Sequence, residues 1–96
     1  MSREEIIGAL HAALPTIKRK YHVRRLALFG SAARGEQTPA SDVDLLVEFD
    51  EPIGFFDFVR LEQSLGEILQ AKVDLVSSKA FKPAIRDEVL RQAVYV

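Results

Sequence analysis

Apolar residues recur through the first twenty positions at the spacing of a helix. Ser2 and Glu5 have the Ser-x-x-Glu form of a capping box, and an apolar series follows at Ile6, Ile7, Leu10, Ala13, Leu14 and Ile17. This pattern predicts a helix that begins at the amino terminus. Because an internal proline removes a backbone donor and clashes with the preceding turn, Pro15 predicts a break near Leu14, with the helix resuming at Pro15 and ending near Tyr21.

Three short apolar runs predict strands, over Val23–Phe29, 42–49 and 72–77. The second run has an interior too apolar for an exposed edge, so it should lie centrally in a sheet. Gly30 ends the first strand, and residues 30–41 have the composition of a loop that encloses one short helical turn.

An amphipathic series over Phe55–Leu69 predicts a helix that covers the sheet, and a last helix should open near Lys82-Pro83 and run to about Gln92. Residues 93–96 are left as an extended tail. The order of elements predicts one domain, residues 1–96, of α/β or α+β class: a small mixed β-sheet with helices packed over it.

The composition excludes some kinds of binding partner and some kinds of catalytic site. The 96 residues include 13 basic and 14 acidic side chains, for a net charge of −1, which argues against a surface built to bind nucleic acid or an anionic membrane. No cysteine is present, so thiol nucleophiles and zinc–thiolate sites are excluded. The longest apolar stretches span only a few residues, and the expected location is the cytoplasm. The acidity is concentrated in residues 41–80, which carry nine acidic and three basic side chains.

Basic residues cluster at 18–25. Two interpretations are open. The cluster binds nucleic acid or an acidic face of a partner, or it is a solvated helix end whose cations suit the helix dipole, and the second is favoured.

The candidate chemistry lies around the second strand. Ten residues separate Gly30-Ser31 from Asp42-Val43-Asp44. Because residues i and i+2 of a strand project on the same face, Asp42 and Asp44 should present neighbouring carboxylates while Val43 points into the packing. Such hard oxygen ligands suit Mg²⁺ or Mn²⁺.

Two further features fit the phosphates of a nucleotide, and a third adds to the pair of carboxylates. Gly30 allows close backbone approach to a ligand, and Ser31 offers an amide and a hydroxyl to phosphate oxygens. Arg34 can add a charge-assisted contact to the same phosphates, and Asp74 can supply a third carboxylate from the next strand. Each feature alone is more often an ordinary turn, surface arginine or strand-edge residue. Their combination is what favours a site.

The two segments that carry these residues, 28–35 and 41–47, resemble the minimal nucleotidyltransferases of the DNA polymerase β superfamily, whose signature is Gly-Ser, ten residues, Asp-x-Asp. The resemblance extends through the segment around Asp74 and the final helix. It implies a polymerase β-like fold, in which Asp42, Asp44 and Asp74 bind two divalent metal ions while Gly30 and Ser31 hold the nucleoside triphosphate.

The resemblance also implies a partner. Minimal family members are commonly antitoxins paired with a small helical HEPN ribonuclease toxin, and they can transfer AMP from ATP to a tyrosine of that toxin. The expected function is therefore a Mg²⁺-dependent protein adenylyltransferase antitoxin. Two alternatives are open: an antitoxin that neutralises its partner by binding alone, and a transferase, acting as a homodimer, for the hydroxyl of a small molecule.

Overall fold

The computed structural model describes residues 1–36 and 42–96. Within these ranges, four helices and four strands alternate along the chain: α1 Arg3–Tyr21, β1 Val23–Phe29, α2 Gly30–Arg34, β2 Val43–Phe49, α3 Phe55–Leu69, β3 Val73–Ser77, α4 Pro83–Gln92 and β4 Val94–Tyr95. A 3₁₀ turn at Ser78–Ala80 follows β3. The residues 37–41 of the predicted loop lie outside the described residues.

The strands form one mixed sheet in the order β3-β2-β1-β4. β1 is antiparallel to β2 and to β4, whereas β2 and β3 are parallel. The predicted fold class and the central position of β2 are confirmed. β2 and β3 each begin one residue later than predicted, at Val43 and Val73. The predicted extended tail contains β4, which pairs with β1 through Tyr95 and Val94.

α1 begins as predicted, with Ser2 and Glu5 in a reciprocal capping box. The predicted break near Leu14 is wrong, because α1 continues through Pro15 to Tyr21. Pro15 lies on the exposed side of the helix, so the carbonyl that loses its helical partner, that of His11, faces water. One unbroken stripe on the opposite side is buried, and its packing keeps the two halves in line: Ile6, Leu10, Leu14, Ile17 and Tyr21.

The two faces of the sheet differ in chemistry. α1 and α3 pack together and cover one face, where Val43, Leu45 and Val47 of β2 join the main hydrophobic core. The intervening residues of β2, among them Asp44, therefore project from the other face. The basic residues Lys18, Arg19 and Lys20 lie in the last turn of α1, as the helix-end interpretation expects.

Among the described residues, no helix combines the length and apolar character needed to cross a membrane.

Candidate active site

The strand registers place two of the predicted carboxylates side by side. Asp44 is the direct partner of Asp74 across the parallel β2–β3 pair. Residues in direct register project from the same face of a sheet, and here Val73 and Leu75 belong to the core on the opposite face. Asp44 and Asp74 therefore share the face that α1 and α3 leave free. On the other side of Asp44, Phe29 of β1 is its direct antiparallel partner.

Asp42 lies just before β2 and is exposed, whereas Val43 is buried and Asp44 is partly buried. This alternation is the one predicted from the Asp-Val-Asp spacing. The Nζ atom of Lys72 lies 3.9 Å from the Oδ2 atom of Asp42, and the lysine side chain remains 82% exposed. A flexible, solvated ammonium at that distance neutralises part of the acidic charge without closing access to it.

The electrostatics of Asp44 show that the two neighbouring carboxylates act on it. The pKa of Asp44 is raised, first because burial disfavours its charged form, and then because the charges of Asp74 and Asp42 repel it. The positive charge of Arg34 acts in the opposite direction. A cluster in which carboxylates destabilise one another is an environment that a divalent cation relieves.

Gly30 lies against the carboxylate of Asp44. Its backbone has φ +68°, a left-handed conformation, and a Cβ atom at this position would lie only 2.4 Å from Oδ2 of Asp44. Only glycine fits there without moving the aspartate. The sequence predicted a glycine for close approach to a ligand, and the structure adds a second constraint, the approach to Asp44 itself.

Ser31 and Arg34 lie in the short helix α2, which begins at Gly30. Ser31 is partly buried, and its carbonyl accepts a hydrogen bond from the backbone N–H of Glu36. Nε of Arg34 donates to Oε2 of Glu36 at 3.2 Å, so the guanidinium is engaged by a neighbouring surface carboxylate. The charge of Arg34 reaches the carboxylate cluster, but its direct contact is with Glu36.

These carboxylates fit a magnesium ion whose remaining ligands come from a nucleotide and from water. Within residues 1–36 and 42–96, no three histidine or acidic side chains are gathered closely enough to form a complete metal cage. Mg²⁺ is usually held by one or two carboxylates together with substrate phosphates and water. Asp42 and Asp44 supply the two carboxylates, with Asp74 beside them.

A cleft of about 470 Å³ lies elsewhere, at the opposite end of β2. Its acidic lining residues are already paired with basic ones: Glu48 with Arg25, Asp50 with Arg24, and Glu51 with His22. The charges of Glu48 and Asp50 are therefore compensated by arginines, whereas the acidic neighbours of Asp44 help to raise its pKa.

One residue near the site was missed by the sequence analysis. Glu62 of α3 accepts a hydrogen bond from the backbone N–H of Leu75, the residue that follows Asp74, at 3.0 Å. Its position between Leu61 and Leu65 of the buried stripe was the available signal, because a charged residue beside that stripe needs a specific partner.

Comparison with known proteins agrees with this geometry. Residues 11–96 match the family described as the nucleotidyltransferase domain. Protein adenylyltransferase MntA of Thermococcus cleftensis is 40% identical over 96 residues, which are 100% of this chain and 97% of that protein.

Two solved structures have the same fold. A structure described provisionally as a minimal nucleotidyltransferase has a TM-score of 0.86 and 38% identity, covering 98% of this chain and 95% of that one. A toxin–antitoxin structure with AMP-PNP has a TM-score of 0.69 and 25% identity, covering 99% of this chain and 72% of that one.

The family match over most of the chain and the full-length relative agree with the approach of Gly30 to Asp44 and with the pairing of Asp44 and Asp74. The chain belongs to the nucleotidyltransferase domain family and is a minimal, MntA-like nucleotidyltransferase.

Proposed function

We propose that this chain is an antitoxin that transfers AMP from ATP to a tyrosine hydroxyl of a HEPN-type toxin. The observation that carries the proposal is the pairing of Asp44 with Asp74 beside Gly30, with the charge of Asp42 acting on Asp44, in a chain that is 40% identical over its whole length to a protein adenylyltransferase. The toxin–antitoxin structure with AMP-PNP supports a toxin partner and an adenine nucleotide.

In this proposal, Asp42 and Asp44 hold divalent ions, Mg²⁺ or Mn²⁺, and Asp74 completes the ligand set on the acceptor side. When bound, the ions supply charge neutralisation at the α-phosphate and lower the pKa of the attacking hydroxyl. Gly30 and Ser31 receive the triphosphate, and Arg34 adds positive charge once it exchanges Glu36 for a phosphate oxygen.

The transfer itself is a substitution at phosphorus. The acceptor oxygen forms a bond to the α-phosphorus, the bond from that phosphorus to the bridging oxygen of pyrophosphate breaks, and pyrophosphate leaves. Asp74 is placed to receive the hydroxyl proton, because it faces solvent beside Asp44 and is therefore open to an incoming acceptor.

The acceptor belongs to the partner in this proposal. Asp42 and Asp74 are exposed at the end of the sheet where β2 and β3 begin, so a tyrosine carried on another protein can reach them. The small-molecule alternative requires the same free face to bind a compound directly.

The test uses the product of the adjacent reading frame as the candidate toxin, ATP labelled at the α-phosphate, and Mg²⁺. We expect label on the toxin with the wild-type chain and none with the Asp42→Asn, Asp44→Asn double variant. Asp87→Asn with Glu67→Gln is the matched control, since it removes two exposed carboxylates that are not among the charges that shift the pKa of Asp44.

Cell protection separates the alternatives. If the double variant still protects cells and the wild type leaves no AMP on the toxin, the chain neutralises by binding. If purified wild-type chain consumes ATP with an added sugar or drug but not with the toxin, the small-molecule alternative is correct.

A further inference from the structure

Glu62 is less exposed than the other acidic residues of α3. Asp57 and Glu67 are exposed, whereas Glu62 is partly buried. Its Oε2 atom accepts a hydrogen bond from the backbone N–H of Leu75 at 3.0 Å, which joins α3 to β3 through a side chain.

The backbone N–H of Leu75 has its hydrogen-bond acceptor in Glu62 and not in the neighbouring strand. β3 is an edge strand whose partner in the sheet is β2. Backbone groups along a strand alternate in direction, and the N–H of Val43 donates to the carbonyl of Lys72, which sets which groups of β3 face β2. By this alternation the N–H of Leu75 points away from β2. Leu75 is only 4% exposed, so water has little access to replace a lost acceptor.

The same bond holds one side of the peptide unit that joins Asp74 to Leu75. The carbonyl of Asp74 and the N–H of Leu75 belong to one planar peptide unit, and in the trans form they point in opposite directions. Glu62 holds the N–H side of this unit from outside the sheet, while β2 lies on the carbonyl side. The orientation of the unit sets the backbone angle from which the Asp74 side chain departs, next to Asp44.

We propose that Glu62 is a positioning residue for nucleotidyl transfer, which fixes the Asp74–Leu75 peptide and thereby holds Asp74 in register with Asp44. The inference rests on the proposed function, because it assigns Asp74 a role on the acceptor side. Glu62 acts from the far side of β3 and contacts neither nucleotide nor acceptor.

The test compares Glu62→Ala with Glu62→Gln, which keeps an acceptor oxygen, and with Glu67→Ala, the same loss of a carboxylate at an exposed position of α3. We expect Glu62→Ala to lower kcat for AMP transfer by about 10–100-fold, the usual range for residues that support a metal site, with KM for ATP nearly unchanged because Gly30 and Ser31 are untouched. Glu62→Gln should restore most of the rate, and Glu67→Ala should retain it.

Two readouts do not depend on turnover. Hydrogen exchange at the Leu75 amide should accelerate in Glu62→Ala and not in Glu67→Ala. The affinity for Mn²⁺ alone, measured by electron paramagnetic resonance, should fall about tenfold in Glu62→Ala, but should not fall further when the same change is made in a chain that already carries Asp74→Asn. If Glu62→Ala does not fold, Glu62→Asp, which is too short to reach the amide, replaces it.

Equal losses of Mn²⁺ affinity with and without the Asp74→Asn change would overturn the inference, because the effect would not pass through Asp74. Failure of Glu62→Gln to restore the rate would overturn it as well. Failure of the proposed function has a different signature: no AMP transfer by the wild-type chain, or AMP transfer that survives the Asp42→Asn, Asp44→Asn change.

Discussion

Replacing Gly30 by alanine tests whether the packing of this glycine against Asp44 controls the site. The added Cβ atom would lie 2.4 Å from Oδ2 of Asp44, whereas ordinary contacts begin at 3.4 Å, so the carboxylate must move by about 1 Å. A displacement of that size at a reacting centre can cost about 100-fold in rate. The alanine must also adopt φ +68°, which costs about 1–2 kcal/mol of stability.

Gly35 provides the matched control. It has a similar left-handed φ of +72°, but no atom of the described residues, 1–36 and 42–96, lies within 4 Å of the position that a Cβ atom would take there. Gly35→Ala should therefore lose a similar 1–2 kcal/mol, about 4–16 °C in Tm for a domain of this size, without moving Asp44. The two variants separate backbone strain from displacement of the carboxylate.

The assay is the initial rate of AMP transfer at saturating ATP and Mg²⁺, divided by the folded fraction from urea unfolding. We expect Gly30→Ala to be about 100-fold slower per folded molecule and Gly35→Ala to match the wild type. Equal rates for the two folded variants would show this prediction to be wrong, because Asp44 would then tolerate the displacement or have no part in the reaction.

Three further predictions concern stability. The raised pKa of Asp44 means that its charged form is less favourable in the folded than in the unfolded chain, so stability is lost as pH rises through its titration. In EDTA, Asp44→Asn should therefore be more stable than the wild type at about pH 7, and this advantage should shrink toward about pH 4. Urea unfolding of both proteins at the two pH values measures the difference. Pro15→Ala should raise the free energy of unfolding by about 1–3 kcal/mol, because it restores a helical hydrogen bond on the exposed side of α1; a lower Tm would argue against this explanation. Ser2→Ala should lower it by about 1 kcal/mol through loss of the cap, and unchanged thermal unfolding would argue that the cap contributes nothing.

Local patterns predicted most of the fold. The bounds of β1, α3 and α4 follow from runs and stripes of apolar residues that are short-range features of the chain. The shared face of Asp42 and Asp44 follows from the two-residue period of a strand. Pro15 misled the prediction because local propensity favours a break, while the buried stripe on the far side of α1 favours continuity, and the packing is the stronger effect.

Long-range contacts could not be predicted in the same way. The register that joins Asp44 to Asp74, the approach of Gly30 to Asp44, and the bond from Glu62 to Leu75 all connect residues from different elements. Sequence spacing identifies such residues as candidates but does not fix which atoms meet. The pairing of β4 with β1 was missed for the same reason, since two residues carry too little pattern to predict a strand.

In the proposed activity, Asp42, Asp44 and Asp74 carry out nucleotidyl transfer to a partner protein. Its decisive measurement is the intact mass of the proposed toxin, the product of the adjacent reading frame, after incubation with this chain, ATP and Mg²⁺. We expect a mass increase of one or more AMP groups with the wild type, and none with the Asp42→Asn, Asp44→Asn variant or without Mg²⁺. An unchanged toxin mass with the wild type, or the same increase with the double variant, would show that these carboxylates do not carry out the transfer.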